Sequence, residues 1–211
     1  MAAVAIIYLP PDEGCRLVLP LLNDKAEFVR REAAFALGEI GSTAAAEPLG
    51  QLVQKDRSDI VRSAAAAALG KAGDARAVGA LVSVLQKGPR SSDEYLRRTA
   101  ARSLGQIAET VRGVSQQAAT PDSFLPGKYK RKIASASATS LSSEFGAAVS
   151  VLLKVAANRK EADDTRREAA YALGAIGDPA ALAFLTANLT NKDNYLAEIC
   201  REALFKMPGM E

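Results

Sequence analysis

Arginine is the residue whose type and spacing could do chemistry in this chain. It recurs as Arg30-Arg31, Arg62, Arg97-Arg98 and Arg166-Arg167. A guanidinium stays charged at any working pH and grips a carboxylate or phosphate through two parallel N–H donors. That is the chemistry of recognition and cross-linking. Other reagents are scarce. The chain has no histidine, which removes Ser/His and Cys/His nucleophile pairs and the commonest metal ligand. No carboxylates stand at a spacing that suggests general acid–base work. Cys15 and Cys200 are its two cysteines. They lie near opposite ends, so an elongated fold would hold them too far apart for a disulfide, and buried thiols are expected. No catalytic residue, cofactor or metal is assigned.

Each arginine belongs to one recurring motif. Val29-Arg-Arg-Glu-Ala-Ala-Phe-Ala-Leu-Gly38 is echoed from Val61 to Gly70, from Leu96 to Gly105 and from Thr165 to Gly174. The residue before the first motif arginine falls at Val29, Val61, Leu96, Thr165 and, in a last weak copy, Leu196, at steps of 32, 35, 69 and 31 residues. Self-similarity at such a period marks a repeat array in which each unit buries its apolar face on its neighbours. The long step is close to two periods. A marker at Lys130 divides it evenly, with Arg131 falling where Arg30 sits and Ala134 where Ala33 sits. The sequence therefore predicts six units, about 12–41, 42–73, 74–108, a degenerate 109–142, 143–177 and 178–207, with 1–11 as an N-terminal cap or extension. A serine-rich insertion is the other reading of 109–142.

The period inside each unit is helical. Val29, Ala33, Ala36, Leu37 and Ile40 share one apolar face. Asp59, Asp163 and Asn194 are placed to cap the starts of these second helices, and Gly41, Gly73 and Gly177 to end them in a left-handed turn. Gly38, Gly70, Gly105 and Gly174 are expected to allow close helix contact. None lies between a strand and a helix, so none reads as part of a phosphate-binding loop. First helices are expected around 77–85 and 145–155, with Asp178-Pro179 opening another. Pro20 and Pro48 should kink or shift the starts of theirs. No alternating strand pattern is present.

The Val-Arg-Arg-x-Ala-Ala-x-Ala-Leu-Gly-x-Ile-Gly core resembles HEAT-like repeats of the phycobilin-lyase type, over roughly residues 12–207. The resemblance implies an all-α, right-handed superhelix of about six helix pairs, with second helices lining the concave side. It also implies a ladder joining each motif arginine to an aspartate six residues earlier. Asp24 with Arg30 and Asp56 with Arg62 fit that spacing. Arg97 and Arg166 face Ser91 and Lys160 instead, so the ladder is expected to be incomplete. Among HEAT-like enzymes, deoxyhypusine hydroxylases hold iron through His–Glu pairs, which a histidine-free chain cannot supply. Alkylpurine glycosylases with HEAT-like folds typically use tryptophan, also absent here. A bilin-lyase-like factor, acting on a chromophore or its acceptor protein, stays open as an alternative.

Residues two, six and ten places after each marker share a helix side and vary from unit to unit. They single out Arg31, Phe35, Arg98, Arg102, Lys132, Arg167 and Tyr171 as a concave partner-binding surface. Arginine with exposed aromatics is a hot-spot composition, and the cationic stripe points to an acidic or phosphorylated protein segment. The function expected is a non-catalytic protein-interaction scaffold. Nucleic acid is the rival partner, through Lys128, Tyr129, Lys130, Arg131 and Lys132. A net charge of +3 and Glu198 and Glu202 at one end of the stripe argue against it.

No apolar run approaches a membrane span. The opening Met1–Leu9 is apolar without a basic leader, so the expected location is cytoplasmic. That segment could serve as a cap, as a dimer contact, or as the scar of a longer solenoid. Phe205 replaces the motif glycine in the last copy. The register has a direct test: Leu104→Ala should lower unfolding free energy by about 2–5 kcal/mol in urea titrations. An unchanged denaturation curve would show the register to be wrong.

Overall fold

Alanine and glycine at fixed phase let helices approach closely, and the chain uses this at every junction. The computed structural model describes residues 10–113 and 141–207. Every regular element among them is helical. They form an all-α solenoid of five stacked helix pairs: α1 (Pro11–Val18) with α2 (Glu27–Ile40), α3 (Ala46–Lys55) with α4 (Asp59–Ala72), α5 (Val78–Gln86) with α6 (Glu94–Val111), α7 (Leu141–Ala157) with α8 (Asp163–Ile176), and α9 (Leu182–Ala187) with α10 (Asn194–Lys206). First helices α3, α5 and α7 form one layer, and second helices α2, α4, α6, α8 and α10 form the other. The interior between layers is filled by Leu37, Leu69, Leu104 and Leu173 from the second helices and Leu49, Leu81, Phe145 and Leu152 from the first, all fully buried.

The motif glycines are the contact points between consecutive second helices. A Cβ at Gly38 would lie 2.8 Å from the Ala68 Cα, and one at Gly174 would lie 2.6 Å from the Ala203 Cα. At Gly105 it would strike the Tyr171 ring, 2.5 Å from Cε1. Gly41, Gly73 and Gly177 end α2, α4 and α8 at φ of 66°, 68° and 70°, where a side chain would be strained.

Two local expectations are corrected. Asp59, Asp163 and Asn194 are the first helical residues and do not cap. The caps are Ser58, accepting from the Val61 N–H, and Asp193, accepting from Tyr195 and Leu196; α2 and α8 begin after alanine with no side-chain cap. Pro20 sits in a short 3-10 turn, Leu19–Asn23, that continues α1. Asp178 does accept from the Ala180 N–H, opening the 3-10 turn that leads into α9.

The second helix of the third unit runs longer than expected. α6 runs through Val111, past the expected start of a unit at 109, and packs directly on α8. Gly105 of α6 receives Tyr171 and Ala172 of α8, and the degenerate unit expected at 109–142 falls largely outside the described residues. Residues 114–140 lie outside the described residues.

A pair of glycine substitutions separates packing from helix propensity. Gly174→Ala should cost about 1–3 kcal/mol by overpacking against Ala203. Gly79→Ala, on an exposed helical position with open space around it, should be neutral or stabilising by up to ~1 kcal/mol. Thermal melts of the two variants beside wild type provide the check.

Candidate functional site

The motif arginines meet carboxylates, but across units. Arg30 donates Nε and Nη2 to the two carboxylate oxygens of Asp56, at 2.7 and 3.0 Å. Its Nη1 donates to the backbone carbonyls of Asp24 and Lys25. Arg62 reaches Asp93 at 3.3 Å while donating to the Asp56 carbonyl. Arg97 takes Glu161 as its partner, with Nε 3.1 Å from Oε2, and also donates to the carbonyls of Val84, Leu85 and Lys87. At the last junction Arg167 grips Asp193 through Nε and Nη2, at 3.1 and 3.0 Å. The ladder therefore runs from each unit to the next, and the aspartate six residues earlier lends its carbonyl. Arg166 lies off the ladder, bonded to the Ala156 carbonyl and to Asp163.

Burial sets the electrostatics of these pairs. Arg97 and Glu161 are almost fully enclosed, with side chains 2% and 3% exposed. Burial, the largest single effect, would raise the Asp56 carboxyl; the hydrogen bonds from Arg30 and the Ser58 N–H and the charges of Arg30 and Arg57 together outweigh it and hold the group below its usual value. The hydrogen bond from Arg167 does the same for Asp193, against a smaller opposing effect of burial. Arg30 and Arg167 are correspondingly raised by those same bonds.

The outer face of the second helices carries two adjoining depressions. One, of about 750 Å³, is lined by Arg31, Phe35, Ile60, Lys71, Tyr95 and Arg102 among others. The other, of about 760 Å³, includes Tyr95, Arg98, Arg102, Arg167, Tyr171 and Tyr195. Tyr95 and Arg102 belong to both, so the two form a continuous groove. Its cations are already held by carboxylates: Lys71 by Glu39, Arg31 by Glu32, Arg98 by Asp164, and Arg102 by Glu168. Arg31, Arg98 and Arg167 also lie over the rings of Phe28, Tyr95 and Tyr195, at 5.0, 5.1 and 5.0 Å.

With this geometry in view, comparisons with known proteins place the chain. Residues 1–70, 47–122 and 127–204 match the HEAT repeats family. The chain belongs to the HEAT repeat family. No curated protein sequence matches it. Among solved structures, it is similar to a chain in the complex of CpcE and CpcF of phycocyanin lyase from Nostoc sp. PCC7120, with 21% identity and a TM-score of 0.62. The match covers 95% of this chain and 65% of that one, so the present chain spans just under two thirds of its relative's length. Human deoxyhypusine hydroxylase, in complex with glycerol, is similar at 20% identity and a TM-score of 0.44, over 97% of this chain and 88% of that one.

Of the residues singled out by sequence, Arg31, Phe35 and Arg102 share the first depression, and Arg98, Arg102, Arg167 and Tyr171 the second. Lys132 lies outside the described residues, as do Lys128 to Arg131. Tyr171 is half-buried at a HEAT-unit junction. Its ring lies on Gly105 and under Lys206, and its hydroxyl donates to Glu109 at 2.8 Å. Burial first, and that bond second, raise its hydroxyl well above the usual value. Arg167 is likewise tied up in the ladder.

Sequence reasoning missed a row. Phe28, Ile60, Tyr95 and Tyr195 each stand one place before a marker, and all four are large, apolar and exposed. The signal was legible, because a residue one before the marker shares a side with those two and three after it. The two cysteines are buried free thiols, and burial pushes Cys200 up to about 11, so neither is a ready nucleophile. The ladder makes a sharp prediction. Glu161→Ala strands the buried Arg97 guanidinium and should cost about 3–5 kcal/mol, whereas Glu168→Ala at the exposed Arg102 pair should cost under ~1 kcal/mol. Chemical denaturation of the two variants compares them directly.

Proposed function

We propose that the chain is a non-catalytic protein-interaction scaffold whose second-helix groove docks an extended segment of a partner protein. The observation that carries this is the exposed row Phe28, Ile60, Tyr95 and Tyr195 at one repeat phase beside the continuous groove. Large apolar side chains held in water at a regular interval are a typical anchor surface. Neighbouring helices lie about 8–10 Å apart, and an extended chain advances about 3.3 Å per residue. A segment with apolar side chains at every third position therefore matches Phe28, Ile60 and Tyr95, and passes Asp164 of α8, which holds the same phase, to reach Tyr195. An aromatic ring buried on docking removes roughly 150–250 Å² from water, so a few such anchors supply the affinity.

Acidic side chains on that segment would have to exchange with Asp164 and Glu168 for Arg98 and Arg102. Arg102, whose side chain is 61% exposed, is the groove cation most open to that exchange. The apolar row supports the reading more strongly than the charge does, since each groove cation is already paired within the fold.

Affinity capture from the source organism's lysate tests the proposal, with wild type beside Tyr95→Glu/Arg102→Glu, each with and without nuclease. Both positions are solvent-facing, so the double variant should melt within about 1 kcal/mol of wild type while losing a nuclease-resistant protein partner. Retention of that partner would overturn the groove. Capture that disappears with nuclease would redirect the reading to nucleic acid, and a coloured phycobiliprotein among the captured proteins would redirect it to the lyase-related alternative.

A further inference from the structure

A second concavity, of about 860 Å³, lies away from the groove, where the turns of the first two units meet. Four cations line it: Arg30, which is bound to Asp56, and three others, Lys25 from the first unit and Lys55 and Arg57 from the second. These last three side chains are exposed. The two carboxylates at the same place are already engaged. Asp24 accepts from the Ala26 N–H at 2.7 Å, and Asp56 is bound by Arg30 and by the Ser58 N–H. Arg57 reaches across the unit boundary to donate to the Lys25 carbonyl at 2.9 Å, which holds its guanidinium over the cleft. The groove cations are neutralised by neighbouring carboxylates; among the described residues, Lys25, Lys55 and Arg57 are joined to none by a salt bridge.

We propose that this cleft is an anion-binding site for a short acidic segment of a protein partner, its carboxylates held by Lys25, Lys55 and Arg57. The proposal rests on the reading of the chain as a protein-binding scaffold but not on the second-helix groove. Charge complementarity selects the anion. The floor selects a peptide: Leu19, Pro20, Pro48 and Leu52 offer an aliphatic surface, suited to a side chain lying between acidic ones. Among the described residues, no aromatic ring lines the cleft to stack a base. A planar guanidinium with two flexible ammonium groups fits carboxylates arriving at more than one angle.

Fluorescence anisotropy on the full chain tests this with labelled octaglutamate, octaserine and an eight-nucleotide single-stranded DNA. Two charge-matched variants are compared, Lys25→Glu/Lys55→Glu/Arg57→Glu in the cleft and Arg159→Glu/Lys160→Glu/Lys192→Glu farther along the same edge. Octaglutamate should bind wild type and the distant variant alike, weaken with added salt, and lose at least about tenfold in affinity in the cleft variant; octaserine should not bind. If reversal lowers the melting point, Lys25→Gln/Lys55→Gln/Arg57→Gln replaces it in the comparison. Equal weakening in both triple variants, or no octaglutamate binding to wild type, would overturn the site. DNA binding more tightly than octaglutamate through the same three residues would overturn the peptide assignment. Tyr95→Glu should leave octaglutamate binding unchanged, so failure of the groove and failure of the cleft are distinguishable.

Discussion

The stack depends on a paired guanidinium at each unit junction, buried at Arg30 and Arg97 and half-buried at Arg62 and Arg167. Arg30, Arg62, Arg97 and Arg167 each send donors to a carboxylate of the following unit, and the first three also bond backbone carbonyls of their own. An arginine taken out of water must have its donors met, and the turn between first and second helix supplies the carbonyls that meet them. The pair therefore does two things at once. It fixes the conformation of the turn, and it sets how the next unit sits. The glycine contacts at Gly38 and Gly174 complete the constraint from the helix side, since any added atom would meet the neighbouring backbone.

That constraint shapes the electrostatics of the surface. Carboxylates drawn into the ladder leave cations of the same turns unbalanced, as at Lys25, Lys55 and Arg57. On the second-helix face the reverse holds, because Asp164 and Glu168 cross to Arg98 and Arg102 and cancel them. A groove rich in arginine by sequence thus presents exposed aromatic and aliphatic side chains more than free charge. The surface separates an exposed apolar row from a cationic cleft.

Much of the frame was readable beforehand because its signals are local. Helical periodicity in Val29, Ala33, Leu37 and Ile40, and the glycines that end α2, α4 and α8, each act within one or two turns of chain. The core position of Leu104, fully buried in α6, followed from phase alone. The groove was legible in part: Arg31, Phe35 and Arg102 lie where the spacing put them, while Tyr171 turned inward because Gly105 leaves room for its ring and Glu109 accepts its hydroxyl.

By itself the sequence determined the fold class, the direction of each helix face and the absence of imidazole chemistry, since these depend on residue type and on spacing within a unit. The tertiary structure alone decided which carboxylate meets which guanidinium, and that α6 stacks on α8. Arg97 and Glu161 stand 64 positions apart, and no local period connects them. Their pairing exists only because close-packed second helices bring the two turns together, with every donor of a buried charge requiring a partner.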